Sequence, residues 1–174
     1  MIDESREFRP LRIAILTVSD TRTDDDDRSG HTLRERVEGA GHVVASKRIV
    51  PDDRAGLEQV LRDLVADPEV EVVISTGGTG VTGRDITPEA FEAVYEKAIP
   101  GFGELFRWLS FQKIGTSTIQ SRATAGVAGG TYLFALPGST SAVRDAWDEI
   151  LVHQLDARFR PCNFAELLPR LGER

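Results

Sequence analysis

The 174-residue chain contains one cysteine, Cys162, and one methionine, Met1. A lone cysteine excludes an internal disulfide and any CxxC metal site, so Cys162 reads as structural and the reducing cytosol is the expected compartment. Histidine is also scarce. His31, His42 and His153 stand far apart without the i, i+4 pairing of a zinc helix, so they read as surface or core residues. No apolar run approaches the roughly 20 residues of a membrane span. The start, Met1-Ile2-Asp3-Glu4-Ser5-Arg6, lacks the apolar stretch of a signal peptide. Basic residues are the minority, 21 Lys and Arg against 28 Asp and Glu, for a formal charge of −7. That balance argues against nucleic-acid binding, which asks for a basic face. It leaves room for small anions held by backbone amides, single arginines or a metal ion. There is no internal repeat and no Pro- or Ser-rich linker, and the length fits one domain that needs no covalent staple.

What is present is an alternation of strand-like and helix-like segments. Ile13–Val18 is a continuous β-branched run of the kind buried on both faces of a parallel sheet. Leu33, Val37 and Ala40 follow at helical spacing, with Gly41 as a C-cap. Val43–Val50 reads as the second strand. Asp52 or Asp53 caps a helix whose inner face carries Leu57, Val60, Leu61, Leu64 and Val65. Val70–Thr76 is the third strand. Thr87-Pro88-Glu89 opens a helix, with Thr87 at N-cap and Phe91, Val94, Tyr95 and Ala98 at helical spacing. A further helical pattern runs from Phe102 through Leu105, Phe106 and Leu109. Arg122–Val127 and Thr131–Leu136 flank the hairpin signal Gly129-Gly130, and a last helix carries Val143, Ala146, Trp147, Ile150 and Leu151. The pattern predicts an α/β fold with helices on both faces of a mostly parallel, mixed sheet.

In such sheets ligands bind beyond the carboxyl ends of the strands. Four loops sit there: Ser19-Asp20 with the run Asp24–Asp27; Pro51-Asp52-Asp53; Thr76-Gly77-Gly78-Thr79-Gly80 with Asp85 close behind; and Pro137-Gly138-Ser139. The glycines of the third loop suit either a tight turn or close approach of backbone amides to an anion. The loop lacks the Gly-Lys-Ser/Thr of a P-loop and follows the third strand rather than the first, against a dinucleotide fingerprint. Asp52 and Asp85 suit helix capping or loop bonding singly. Together, beside an anion loop, they are a pair that could hold Mg²⁺ with substrate phosphates and water. The Asp24–Asp27 run reads as a solvated, mobile loop of mutually repelling charges. Trp108 and Phe111 read as packing or subunit-interface residues.

Thr76-Gly77-Gly78-Thr79-Gly80, Arg84-Asp85-Ile86-Thr87-Pro88-Glu89, Pro100-Gly101-Phe102-Gly103-Glu104, Ser121-Arg122 and Leu136-Pro137-Gly138-Ser139 occur in this order. The ordered set resembles the molybdenum-cofactor biosynthesis proteins of the MogA/MoaB type, from about Leu11 to Phe164. Leu109–Thr118 and Arg160-Pro161-Cys162-Asn163-Phe164 lie nearer the MoaB branch. The resemblance implies a three-layer α/β/α, molybdopterin-binding fold over residues 11–165, between tails at 1–10 and 166–174. It implies a trimer or, as favoured by the MoaB-like segment, a hexamer, with other proteins of the same pathway as possible partners. It also implies adenylylation of the molybdopterin phosphate by ATP with Mg²⁺, with Asp52 and Asp85 as the catalytic, metal-holding pair. Ser19, Asp20, Thr76, Gly77, Gly78, Thr79, Gly80, Gly101, Glu104, Ser121, Arg122, Pro137, Gly138 and Ser139 fall on its substrate-binding motifs, Arg122 as a further donor. Some members of the MoaB branch only bind the pterin, so a carrier is the competing expectation, and a nucleotide-dependent regulator a third.

Overall fold

A computed structural model describes residues 1–173. Six strands, β1 (Arg12–Val18), β2 (Val43–Val50), β3 (Val72–Thr76), β4 (Lys97–Ala98), β5 (Thr124–Ala128) and β6 (Thr131–Leu136), form one sheet in the order β2-β1-β3-β6-β5-β4. The first four in that order run parallel, while β5 and β4 are antiparallel to their neighbours. The helices are α1 (Arg28–Gly39), α2 (Arg54–Ala66), α3 (Thr87–Glu92), α4 (Pro100–Ile114), α5 (Thr140–Ala146), α6 (Val152–Gln154) and α7 (Phe164–Leu167). A π-helical turn, Trp147–Leu151, joins α5 to α6.

Strand pleating divides the core in two. Ile13, Ile15, Val72, Ile74 and Phe134 face one layer with Leu33, Val37, Phe102, Phe106 and Trp147, whereas Ala14, Leu16, Val73, Leu133 and Ala135 face the other with Leu57, Leu61, Leu64 and Phe91. Successive residues of a strand point to opposite faces, so one buried run feeds both layers and makes the three-layer α/β/α sandwich. β2 alternates between exposed and half-buried because it is an edge strand. At the hairpin, Gly129 and Gly130 both take positive φ (54° and 83°), as a two-residue turn matched to strand twist requires.

The structure departs from the sequence reading in several places. α3 begins with Thr87 inside its first turn rather than at the cap, and it ends at Glu92 although apolar spacing continues to Ala98. Lys97 and Ala98 pair instead with Val127 and Gly126, and Glu96 N and Ile99 N donate to Val127 O (2.8 Å) and Ala125 O (2.7 Å). The open edge of β5 outcompetes one more helical turn, and the Tyr95 ring lies where a Cβ on Gly126 would sit. The third strand starts at Val72 rather than Val70, although the Glu71 backbone still bonds to Arg12 O (2.9 Å) and Tyr132 N (3.1 Å).

The acidic run is not a free loop. Asp24–Asp26 form a 3-10 turn, and Asp27 is buried as the N-cap of α1, accepting from Gly30 N (3.0 Å), Thr17 Oγ1 (2.9 Å) and Lys47 Nζ (2.8 Å). One lysine and a helix start relieve the repulsion that the bare sequence suggests. The two ends pack on each other rather than trailing as tails: Asp3 N donates to Arg158 O (2.9 Å), Arg6 Nη2 pairs with Glu166 (2.8 Å), and Leu168 and Leu171 pack on the core. Cys162, expected to be structural, is exposed.

Candidate functional site

The loop after β3 is held by its neighbours on both sides. Thr76 Oγ1 donates to Pro137 O (3.0 Å) and Gly77 N to Leu136 O (3.0 Å), tying it to the end of β6. A Cβ on Gly77 would strike the carbonyl of Val18, and one on Gly138 would come within 3.2 Å of Gly77 Cα. The ends of β1, β3 and β6 therefore meet at distances only glycine permits. Gly77 (φ 106°) and Gly78 (φ 65°) are also left-handed.

The fate of each polar group in this loop sets its chemistry. Gly77 O accepts from Thr87 Oγ1 (2.9 Å), Gly78 O from Thr87 N (3.0 Å), Thr79 O from Arg122 N (3.0 Å) and Gly80 O from Arg122 Nε (2.6 Å). Four successive acceptors are taken. The Gly78 and Thr79 N–H groups, by contrast, have no acceptor among the described residues. A loop with its carbonyls satisfied and its amides free holds an anion rather than a cation. Arg122 is central to that bias. Its Nη2 donates to Asp85 O (2.7 Å) and its Nη1 pairs with Glu89, so the guanidinium grips the loop from behind.

The carboxylates converge on the same place. Asp53, not Asp52, caps α2 by accepting from Gly56 N (2.7 Å). Asp52 is left to exchange bonds with the β1 loop: Asp20 N donates to Asp52 Oδ2 (3.2 Å) and Asp52 N to Asp20 Oδ1 (2.9 Å). The other oxygen, Oδ1, lies 3.4 Å from the position of a Cβ on Gly78. Burial raises the Asp52 carboxyl above its ordinary pKa, and the nearby Asp20 and Asp85 charges add to the rise. Asp20 is held below its ordinary value by the Asp52 N–H and by Arg84. Burial acts upward on Asp85 too, but bonds from Thr82 Oγ1 (2.7 Å) and Thr82 N (2.8 Å) outweigh it and the pKa falls.

Asp52 Oδ1 accepts no hydrogen bond among the described residues, while Asp85, already held by Thr82, also takes the Gly80 N–H. A free Asp52 oxygen with the Asp85 carboxylate near it, beside an anion loop, matches the way Mg²⁺ is bound, through one or two carboxylates plus phosphate and water. No group of three or more His, Cys, Asp or Glu able to hold a metal occurs among the described residues. The donor set therefore fits an ion that arrives with its phosphate ligand, not a standing metal cage.

The remaining sequence candidates divide. Ser19 Oγ accepts from Thr21 N and Arg22 N (both 3.2 Å) and shapes the β1 loop. Ser139 caps α5 by accepting from Ala142 N (3.1 Å). Glu104, Ser121 and Arg122 line a 440 Å³ cleft between α3, α4 and β5, together with Arg107. Arg122 also lines a second, 370 Å³ cleft with Asp85. Gly101 faces elsewhere, into an apolar cavity with Phe102, Leu105 and Phe164. Thr87 and Glu89, which the sequence marks as a helix start and as part of the Arg84–Glu89 motif, hold the loop in place. Their signal was position, directly after the glycine loop.

Fold and site together define an α/β protein whose carboxyl sheet edge carries a glycine loop with open backbone amides. The chain belongs to the MoCF_biosynth family, whose model, described as "Probable molybdopterin binding domain", matches residues 14–157. It is 53% identical over 164 residues to molybdenum cofactor biosynthesis protein B of Escherichia coli (strain K12), covering 94% of this chain and 96% of that one. A crystal structure of a molybdenum cofactor biosynthesis protein B superposes with a TM-score of 0.87 at 38% identity, over 97% of this chain and 100% of the other. The tungsten cofactor synthesizing protein MoaB from Pyrococcus furiosus superposes with a TM-score of 0.74 at 35% identity, over 82% and 91%. The chain thus carries a molybdopterin-binding domain of molybdenum cofactor biosynthesis. Among the described residues no helix is long and apolar enough to cross a membrane.

Proposed function

We propose that the protein binds molybdopterin with its terminal phosphate against the Gly78 and Thr79 amides and transfers the adenylyl group of ATP to that phosphate. The observation that carries this reading is the satisfied-carbonyl, free-amide loop with Asp52 beside it. A phosphate monoester has a second pKa near 6, so at neutral pH it is a nucleophile without a strong base. One of its oxygens bonds to the α-phosphorus of ATP, the bond from that phosphorus to the β-phosphate oxygen breaks, and pyrophosphate leaves. Positioning and charge neutralisation dominate such transfers. Mg²⁺, when bound by Asp52 and Asp85 with the substrate phosphates, supplies neutralisation at the α-phosphate. The Gly78 and Thr79 amides orient the attacking phosphate, and Arg122 keeps them available.

A second reading, a non-catalytic molybdopterin carrier, is favoured by one detail. Asp85 Oδ2 is already held by both Thr82 donors, which gives this carboxylate a loop-shaping task without any metal. Incubation with molybdopterin, ATP and Mg²⁺ separates the two. Pyrophosphate release with an AMP-linked pterin is the expected result, and tight pterin binding without either product establishes the carrier. We further read the protein as a cytoplasmic homo-oligomer, a hexamer before a trimer, on the apolar surface of α4.

A further inference from the structure

Beyond the Pro137–Ser139 turn lies a cleft of 200 Å³ lined by Arg22, Arg28, Ser29, Gly138, Ser139 and Thr140. In a chain of net charge −7, this lining contains two arginines and no carboxylate. The acidic run beside it is turned to other partners. Asp24 pairs with Lys47 (2.7 Å), Asp26 Oδ1 accepts from Thr23 N (2.7 Å), and Asp27 is committed to Gly30, Thr17 and Lys47. Only Asp26 reaches an arginine of the cleft, with Oδ2 at 3.7 Å from Arg22 Nη1, which also donates to Asp26 O (3.3 Å). Arg28 forms no ion pair among the described residues.

Two further features point the same way. Ser29 is only 8% exposed, yet its hydroxyl has no hydrogen-bond partner among the described residues. Arg28 and Ser29 also open α1, a 12-residue helix, so their N–H groups have no intrahelical acceptor, and the Asp27 cap takes only Gly30 N. Guanidinium pairs, a free hydroxyl and open amides together suit oxygens of a phosphate chain. The volume lies below the roughly 300–1,000 Å³ of clefts that take whole drug-sized ligands, so a compact group fits and a nucleoside does not. Gly138 belongs both to this cleft and to the contact with Gly77, which makes it continuous with the glycine loop.

We propose that this cleft is an anion subsite for the two terminal phosphates of ATP and for the pyrophosphate they become. It rests on the adenylyl-transfer reading for its role, though not for its chemistry. When the α-phosphorus–oxygen bond breaks, its electron pair stays on the departing pyrophosphate, where Arg22 and Arg28 meet the developing charge.

The test is calorimetric titration of inorganic pyrophosphate into the full chain and into an Arg22→Gln/Arg28→Gln variant, with AMP as a parallel probe. Both arginines are exposed, so the variant keeps the fold, and thermal melting verifies this. At least a tenfold loss of pyrophosphate affinity with AMP affinity unchanged is the expected result. Equal pyrophosphate affinity in both proteins, or none in the parent chain, overturns the subsite. Arginine-dependent pyrophosphate binding in a protein that forms no AMP-linked pterin supports the subsite and overturns only the transfer reading. Turnover by the double variant with an unchanged KM for ATP overturns the subsite and leaves the transfer reading standing.

Discussion

Asp52 and Asp53 are adjacent and chemically identical, and the fold separates them by geometry alone. Asp53 is the cap that starts α2, while Asp52 bonds to the β1 loop and reaches the glycine loop. The sequence left the capping role open between them, because a cap is a matter of one residue's register. Asp52→Asn preserves shape and removes the charge that would hold a metal. Turnover in the molybdopterin–ATP assay falls at least about a hundredfold, whereas the urea midpoint stays within the range of an ordinary surface change, about 0.5 kcal/mol. His42 shows the opposite case, a residue with a purely structural signature. It is buried, its Nδ1 accepts from Leu11 N (3.1 Å), and its ring meets Trp147 edge-on and Phe8 at a tilt. Burial lowers its pKa below 6.5, against the upward pull of Asp156 and Glu71. The folded state therefore binds this proton less readily than the unfolded chain. Its stabilising contribution is complete above about pH 6.5 and is lost as pH falls through that value toward the lower folded pKa. Urea midpoints measured between pH 7.5 and 5.5 decline for the parent chain and decline less for His42→Gln.

At the scale of elements, the sequence was readable where periodicity and burial agree and unreadable where two elements compete for one segment. β1, β3 and β6 are buried runs, and the helices α1, α2 and α5 carry clear inner faces, so their existence followed from residue type. Residues 93–98 keep helical spacing, yet Lys97 and Ala98 pair with β5, since only the assembled sheet offers that edge. The same limit hid the role of Arg122. The sequence suggests a ligand donor, but its guanidinium joins β5's approach to α3 through Gly80 O, Asp85 O and Glu89. In the proposed function Arg122 acts on the anion through the loop it positions. Arg122→Lys retains the pair with Glu89 but cannot span both carbonyls, and Arg122→Ala retains neither. Pterin affinity falls about tenfold or more in both, while thermal stability recovers toward the parent value only in the lysine variant. Equal affinity of the lysine variant and the parent chain would remove the clamp as the cause.

For the whole molecule, the unresolved balance is on the outer face of α4. Phe102, Phe106 and Ser110 turn inward, while Leu105 (43% exposed), Trp108 (61%), Phe111 (51%) and Ile114 (55%) turn out, with Ile119 (77%) beyond them. The sequence announced this surface, because apolar residues there occupy more than one helical face. No sheet contact covers them within one chain. A contiguous apolar patch of this kind is uncommon on a soluble monomer and marks an interface. Closed symmetric assembly of identical chains covers it without leaving an open filament, which is the physical case for a ring or a pair of rings. The stripe lies beside the 370 Å³ apolar cavity that Gly101 and Leu105 line, so a neighbour's side chain has somewhere to insert. Trp108→Glu with Phe111→Glu places two charges in that contact and unpairs it at the cost of neither core layer, since both residues are already outside them. Sedimentation equilibrium over a dilution series checks the outcome: an assembly of six chains for the parent protein and a folded 19.1 kDa monomer for the variant. Three chains in the parent protein would leave the α4 interface intact and remove the second ring, whereas a parent monomer at micromolar concentration would sink the interface itself.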